Sequence, residues 1–154
     1  MDKAVQELLD IHAIEQLMIR YAERIDANDH EVAAACFAED GVGQYWGDFK
    51  GRKAIADRLA MILLAFTKTS HHLSNINIQV DGDKATAMSY VYAYHRMADS
   101  GEPMHYWGRW MDNLVRVDGE WLFAKREVVG LDAIEPVGRE MGHTQPGHPG
   151  RLKH

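Results

Sequence analysis

The sequence predicts an α+β domain: a strongly curved antiparallel sheet, closed by N-terminal helices into a cone-shaped α+β barrel around a central pocket. Helical periodicity is confined to the N-terminal part, up to about Phe66. Long β-prone segments fill the rest, and the links between them, Asp81-Gly82, Ser100-Gly101 and Asp118-Gly119, carry hairpin turn chemistry. Strands of such length twist and coil, so a sheet built from them has a concave side for helices to close.

The first helix reads over residues 4–26. Val5, Leu8, Leu9, Ile11, Ile14, Leu17, Met18, Tyr21 and Ile25 recur at helical spacing, with Lys3, Glu7, Glu15, Arg20 and Glu23 between them. Asp26 ends this stripe, closer in angle to Ala22 and Met18 than to the charged face. Ala27-Asn28-Asp29 breaks the helix, and Asn28 or Asp29 can cap a short Ala-rich helix from His30 to Ala38. Val42 to Trp46 reads as a short strand, Gly47-Asp48 as a turn, and Gly51-Arg52-Lys53 as the opening of a third helix reaching about Phe66. The strands follow as His71–Val80, Lys84–Met97, Met104–Val117 and Glu120–Val129, short-linked and therefore an antiparallel meander. Residues 1–134 form one domain. Pro136, Gly138, Gly142, Pro146, Gly147, Pro149 and Gly150 make 135–154 a tail, loosely ordered unless a partner or neighbouring subunit holds it.

A length of 154 residues with 46% apolar content suits one domain with a real core. A net charge of -6, with no run of Lys or Arg, argues against a nucleic-acid binder. No apolar run approaches the roughly 20 residues that cross a bilayer, and the N-terminus lacks the apolar core of a signal peptide. The single cysteine, Cys36, cannot form an internal disulfide. These features predict a cytoplasmic protein without membrane or nucleic-acid partners. Nine histidines show no HExxH or CxxC spacing, and no Gly-rich phosphate loop appears. The sequence therefore predicts no metal and no organic cofactor.

Chemistry centres on Thr69-Ser70-His71-His72-Leu73-Ser74-Asn75. Alternation in a strand puts His71, Leu73, Asn75 and Asn77 on one face, and His72, Ser74, Ile76 and Ile78 on the other. Whichever face is covered, an imidazole is buried. A carboxylate beside it fixes the tautomer, stabilises the imidazolium and makes a general base. On the next strand the tyrosines of Tyr90-Val91-Tyr92-Ala93-Tyr94-His95 share one face. Ser89, Val91, Ala93 and His95 share the other, where small side chains leave room for His95 to reach a cavity. His105, Trp107 and Arg109 share a face of the following strand. Trp107 and Trp110 offer large apolar area to a ring-shaped substrate, to the core or to a subunit interface. Arg126, if it points inward, must pair with a carboxylate or meet negative charge developing on a substrate. Tyr45 and Trp46 fall near the expected mouth.

Several local patterns, in this order, resemble one family: Ile14-Glu15-Gln16-Leu17 leading to Ile25-Asp26, Phe37-Ala38-Glu39-Asp40-Gly41, Phe49-Lys50-Gly51-Arg52-Lys53-Ala54-Ile55, Thr69 to Asn75, Asp81-Gly82-Asp83-Lys84-Ala85-Thr86-Ala87, and Gly119-Glu120-Trp121 with Arg126. The chain resembles the SnoaL-like branch of the nuclear-transport-factor-like (cystatin-like α+β) superfamily, over roughly residues 10–130. That superfamily holds dehydrochlorinases, dehydratases, ketosteroid isomerases, polyketide cyclases and non-catalytic modules. The resemblance implies that Asp26, at the end of the first helix, orients His71, at the start of the first long strand. It matches Arg126 to an arginine late in the last strand, and Tyr21, Tyr45 and His95 to polar groups that contact substrate. His72 beside His71 leaves the register of the pair open by one.

The expectation is a cofactor-independent lyase, of dehydratase or dehydrohalogenase type, acting on a small apolar cyclic or aromatic molecule. His71 and Asp26 are its catalytic candidates, and Tyr21, Tyr45, His95, Trp107, Arg126 and His72 its substrate contacts. The same residues suit a ketosteroid-isomerase-like isomerase or cyclase, or an aromatic C–C lyase. A non-catalytic binding or assembly module, like the small subunit of a ring-hydroxylating dioxygenase, is the reading of another class. The Tyr- and Trp-rich outer face of the sheet predicts a homodimer or homotrimer.

Overall fold

The computed structural model describes residues 2–135, so nearly all of the expected tail lies outside the described residues. Helix α1 (Lys3–Asp26) is capped by the Asp2 carboxylate, which accepts from the Ala4 amide at 2.8 Å. Its apolar stripe is buried from Ile14 on, through Leu17, Met18, Tyr21, Ala22 and Ile25, whereas Val5, Leu8 and Leu9, expected in the same stripe, are exposed because the first turns of the helix extend past the sheet's apolar face. Asn28 takes the left-handed conformation (φ 57°) and turns the chain, and Asp29 caps α2 (His30–Ala35) through the Val32 amide.

Helix α2 stops at Ala35 rather than Ala38. Phe37 and Ala38 are drawn instead into β1 (Phe37–Gln44). There Phe37 is fully buried, its ring 5.3 Å from that of Phe123, and the Cys36 carbonyl accepts from the Phe123 amide. Long-range pairing overrides the helix propensity of the alanines. Gly47-Asp48 is the end of a tight turn into β2 (Asp48–Lys50), which pairs antiparallel with β1. Helix α3 (Arg52–Leu63) buries Ile55, Leu59 and Leu63. Phe66 begins β3 (Phe66–Asp81) rather than ending the helix. The meander continues with β4 (Lys84–Met97), β5 (Pro103–Val117) and β6 (Glu120–Ile134), the last running past Val129. At the β5–β6 turn Asp118 and Gly119 both have positive φ, 51° and 85°, as a type I′ hairpin requires.

The sheet order is β2-β1-β6-β5-β4-β3, and β1 runs parallel to β6. The six-stranded sheet is thus mixed and open, with β2 and β3 at its edges. It is curved, and helices complete the wall: α1 packs along β3, and α3 against α2 and β1. Ala85, Ala87, Val91 and Ala93 face inward from β4, so the concave side has depth. The N-terminal half of α1 is pinned by Asp10, which accepts from both terminal nitrogens of Arg116 (2.7 and 2.8 Å) and from the Trp121 indole.

Strand β3 departs from simple alternation. Ser74 pairs with Tyr90, but the next partners are Asn77 and Met88, so β3 carries an extra residue, with Asn75 at φ 50°. Beyond this bulge the faces swap. His71 and Leu73 point inward, and so do Ile76, Ile78 and Val80, while Asn75 and Asn77 are exposed. The grouping of Asn75 and Asn77 with His71 does not hold. No helix among the described residues is long and apolar enough to cross a membrane.

Gly108 in β5 has no room for a side chain: a Cβ there would lie 2.8 Å from the Val129 carbonyl oxygen and 2.7 Å from Cε1 of Tyr106. Gly108→Ala is expected to cost about 1–3 kcal/mol in stability. Thermal denaturation should show it as a fall of several degrees in Tm, and an unchanged Tm would contradict the tight β5–β6 packing.

Candidate active site

A cavity of about 200 Å³ lies between the concave face of the sheet, the C-terminal half of α1 and helix α3. Its walls are mostly apolar and aromatic, including Ile25, Leu59, Ile62, Phe66, Val91, Met104, Trp110 and Val128. Asp26, the last residue of α1, reaches across to β3. One carboxylate oxygen accepts from the His71 backbone amide at 2.8 Å; the other meets Nδ1 of the His71 ring at 2.7 Å and the Thr69 hydroxyl at 2.9 Å. Burial works against the charge on Asp26, but the ring and backbone hydrogen bonds from His71 and the Thr69 hydroxyl outweigh it. The carboxyl is held below its ordinary range. An ionised carboxylate only accepts, so the proton sits on Nδ1 and Nε2 is left as the acceptor of a ring that lines the cavity.

Around His71 the side chains form an aromatic box. The His95 ring stands edge-on at 5.4 Å and the Trp110 ring lies at 5.9 Å. Phe66 packs 4.4 Å from His95, and Tyr21 stands 5.3 Å from Trp110. His95 is buried; desolvation, with the nearby His71, pushes its pKa down to about 3, so its imidazole is neutral. Tyr21 and Tyr45 share a hydrogen bond of 2.7 Å between their hydroxyls. Two hydroxyls joined by one bond keep one proton to offer elsewhere. Burial raises the Tyr21 pKa to about 12, so it remains a phenol.

The structure thus gathers Asp26, His71, Tyr21, Tyr45 and His95 at one cavity. It places the other expected contacts elsewhere. His72 points to the outer face, where its Nε2 meets the Ser70 hydroxyl at 3.0 Å. Trp107 is on the same outer face, packed with Tyr92 and His105, because alternation along β5 sends Tyr106 and Trp110 inward and Trp107 outward. Arg126 points inward but lies one layer beneath the cavity. It has no exposed surface, makes paired 2.7 Å bonds to both oxygens of Asp112, and lies against the faces of Tyr21 (4.4 Å), Trp110 (4.2 Å) and Phe123 (3.9 Å). Burial pushes the Asp112 carboxyl up, opposed by Arg126. The guanidinium cannot give up its proton, so the pair stands as an ion pair.

Nothing in the sequence marks Arg58 or Tyr106 as part of a site, and Thr69 stands out only as the first residue of the histidine stretch. Asp112 had a signal: it shares the inward face of β5 with Trp110, and a carboxylate on such a face needs a cation. Among the described residues no group of three or more His, Cys, Asp and Glu is placed to hold a metal ion.

A family model described as a SnoaL-like domain matches residues 6–127. The chain belongs to the SnoaL-like domain family. Among its relatives, uncharacterised proteins of Mycobacterium tuberculosis and Mycobacterium bovis are 30% identical over 129 residues, 80% of this chain and 86% of theirs. The crystal structure of a candidate scytalone dehydratase from Novosphingobium aromaticivorans is 33% identical with a TM-score of 0.79, covering 89% of this chain and 99% of that one. Hexachlorocyclohexane dehydrochlorinase, 19% identical, superposes with a TM-score of 0.81 over 94% of this chain and 98% of its own, and so shares the fold. In this SnoaL-like domain the helix-end aspartate and strand histidine meet at the cavity wall.

Arg126→Met leaves the Asp112 carboxylate buried without its partner and should cost about 3–5 kcal/mol in urea denaturation, while adding Asp112→Leu should restore most of it. A double variant no more stable than the single one would contradict the pair. For His95 the folded pKa, about 3, lies below the ordinary 6.5. The unfolded chain therefore takes up the extra proton first, and stability falls as pH drops from 6.5 toward 3. Between about pH 7.5 and pH 5 the protein should lose about 2 kcal/mol more than His95→Gln does. Parallel pH profiles would contradict a neutral buried His95.

Proposed function

We infer that this protein is a lyase of dehydratase or dehydrohalogenase type, acting without a cofactor on a small apolar cyclic or aromatic molecule. The single observation that carries this is the 2.7 Å contact of Asp26 with Nδ1 of His71, whose ring lines a mainly apolar cavity. Nε2 of His71 removes a proton from the carbon next to the one bearing the leaving group. The C–H electron pair becomes the new π bond, and the leaving group departs with its own pair. Asp26 stabilises the imidazolium, which returns its proton to a departing hydroxide as water, or to solvent when the leaving group is a halide. The spare proton of the Tyr21–Tyr45 pair can bond a substrate oxygen, and neutral His95 offers a polar contact without charge. Arg126 acts from below, by placing positive charge behind Tyr21 and Trp110.

Likeness to a candidate scytalone dehydratase supports the dehydratase type. Isomerisation and aromatic C–C cleavage would begin with the same proton removal.

The test is turnover of a panel of ring-containing alcohols and halides by the wild type, Asp26→Asn and His71→Gln. Asp26→Asn keeps the shape but removes the charge that sets the tautomer, and should lower kcat by about 10²–10⁴-fold, with His71→Gln at least as low. A folded His71→Gln variant with wild-type turnover would exclude His71 as the base.

A further inference from the structure

We propose that the molecule bound in the cavity is a ring compound carrying a carboxylate, held by Arg58 so that its uncharged ring end faces His71. This rests on reading the cavity as the substrate site. Arg58, on α3, lines the cavity and is, among the described lining residues, the one permanently charged side chain. Its guanidinium is held in place: Nε and Nη2 donate to the Tyr45 carbonyl at 3.2 and 3.0 Å, and its Cζ lies 5.1 Å from the centre of the Phe49 ring. Those contacts orient the group but supply no opposite charge.

Among the described residues Arg52 and Arg109 likewise have no carboxylate within ion-pair distance, but neither lines this cavity, and several other cations are paired. Arg126 is neutralised by Asp112, Arg116 by Asp10 and Asp83, Lys53 by Asp57, and Arg24 lies near Asp29. Among the described residues no carboxylate stands within ion-pair distance of Arg58. The chain has 23 acidic and 17 basic residues, so acids are not scarce. An unpaired guanidinium beside an apolar cavity is a receptor for a planar anion, and the carboxylate matches its fork of donors.

The charges also set the direction of binding. Asp26 at the other polar centre is ionised and repels an anion, so the carboxylate belongs at Arg58 and the reacting carbon at His71. Tyr45 links the two ends, with its carbonyl on Arg58 and its hydroxyl on Tyr21. A volume of about 200 Å³ admits one ring with a short side chain.

The test compares cinnamate with cinnamamide, which match in shape but not in charge, by calorimetry at neutral pH on the wild type, Arg58→Met, Arg58→Lys and His71→Gln. Cinnamate should bind the wild type at least about tenfold more tightly than the amide, equivalent to about 1.4 kcal/mol. Arg58→Met, which keeps the apolar stem, should abolish the preference; Arg58→Lys should keep part of it; His71→Gln should keep it. Equal binding of acid and amide by the wild type, or no binding of cinnamate, overturns the proposal, with no variant needed. So does a preference that survives in folded Arg58→Met or vanishes in His71→Gln. Loss of turnover in His71→Gln with the acid preference intact would separate the base from the anion site, so each can fail without the other.

Discussion

The Asp26 carboxylate takes hydrogen bonds from the Thr69 hydroxyl, the His71 amide and the His71 ring, all on β3. Strand β3 is an edge of the sheet, and an edge strand has one side of its backbone without a ladder. Asp26 satisfies one of those free amides and ties the end of α1 to the edge. The end of the helix is thereby held at the β3 edge, beside the cavity. One oxygen of the carboxylate takes the strand amide and the other fixes the imidazole, so a single side chain both ties the helix end to the strand and orients the base.

The floor of the cavity solves a different problem. Arg126 and Asp112 sit in full burial, where taking two charges out of water costs more than a simple contact returns. Bidentate geometry recovers part of that cost, and the rings of Tyr21, Trp110 and Phe123 surround the guanidinium with π faces. Two of those rings, Tyr21 and Trp110, also line the cavity. A positive charge thus stands behind the wall without entering it. Tyr21 stays a phenol because desolvation outweighs the pull of Arg126, and a neutral hydroxyl remains a donor.

What the sequence made legible was whatever depends on local periodicity. The α1 stripe from Ile14 to Ile25 and the inward set Ser89, Val91, Ala93 and His95 follow from repeats of 3.6 and 2, and the hairpin links from their turn residues, while Val5, Leu8 and Leu9 fit the helical repeat but stay exposed. Asp26 and His71, 45 positions apart, meet through tertiary structure, and only the family pattern pointed to them. The parallel pairing of β1 with β6, which shortens α2, is a long-range choice that an Ala-rich segment does not announce. Trp107 and His72 carried the right chemistry for a pocket but sit at the wrong parity. Arg58 gave no signal, because its meaning depends on which carboxylates are absent from its surroundings in space.

The bulge at Asn75 shows why strict alternation could not serve this strand. A shift of one residue moves every later side chain to the opposite face. Without the extra residue, a β3 that buries Ile76, Ile78 and Val80 would turn His71 outward, and one that turns His71 inward would expose those three. The inserted residue lets one strand present an imidazole to the cavity at one end and aliphatic side chains to the core at the other. Asparagine is among the few residues that accept positive φ at modest cost, so the sequence places it where the strand must change parity. The bulge is therefore part of the site, although it touches neither Asp26 nor the ring of His71.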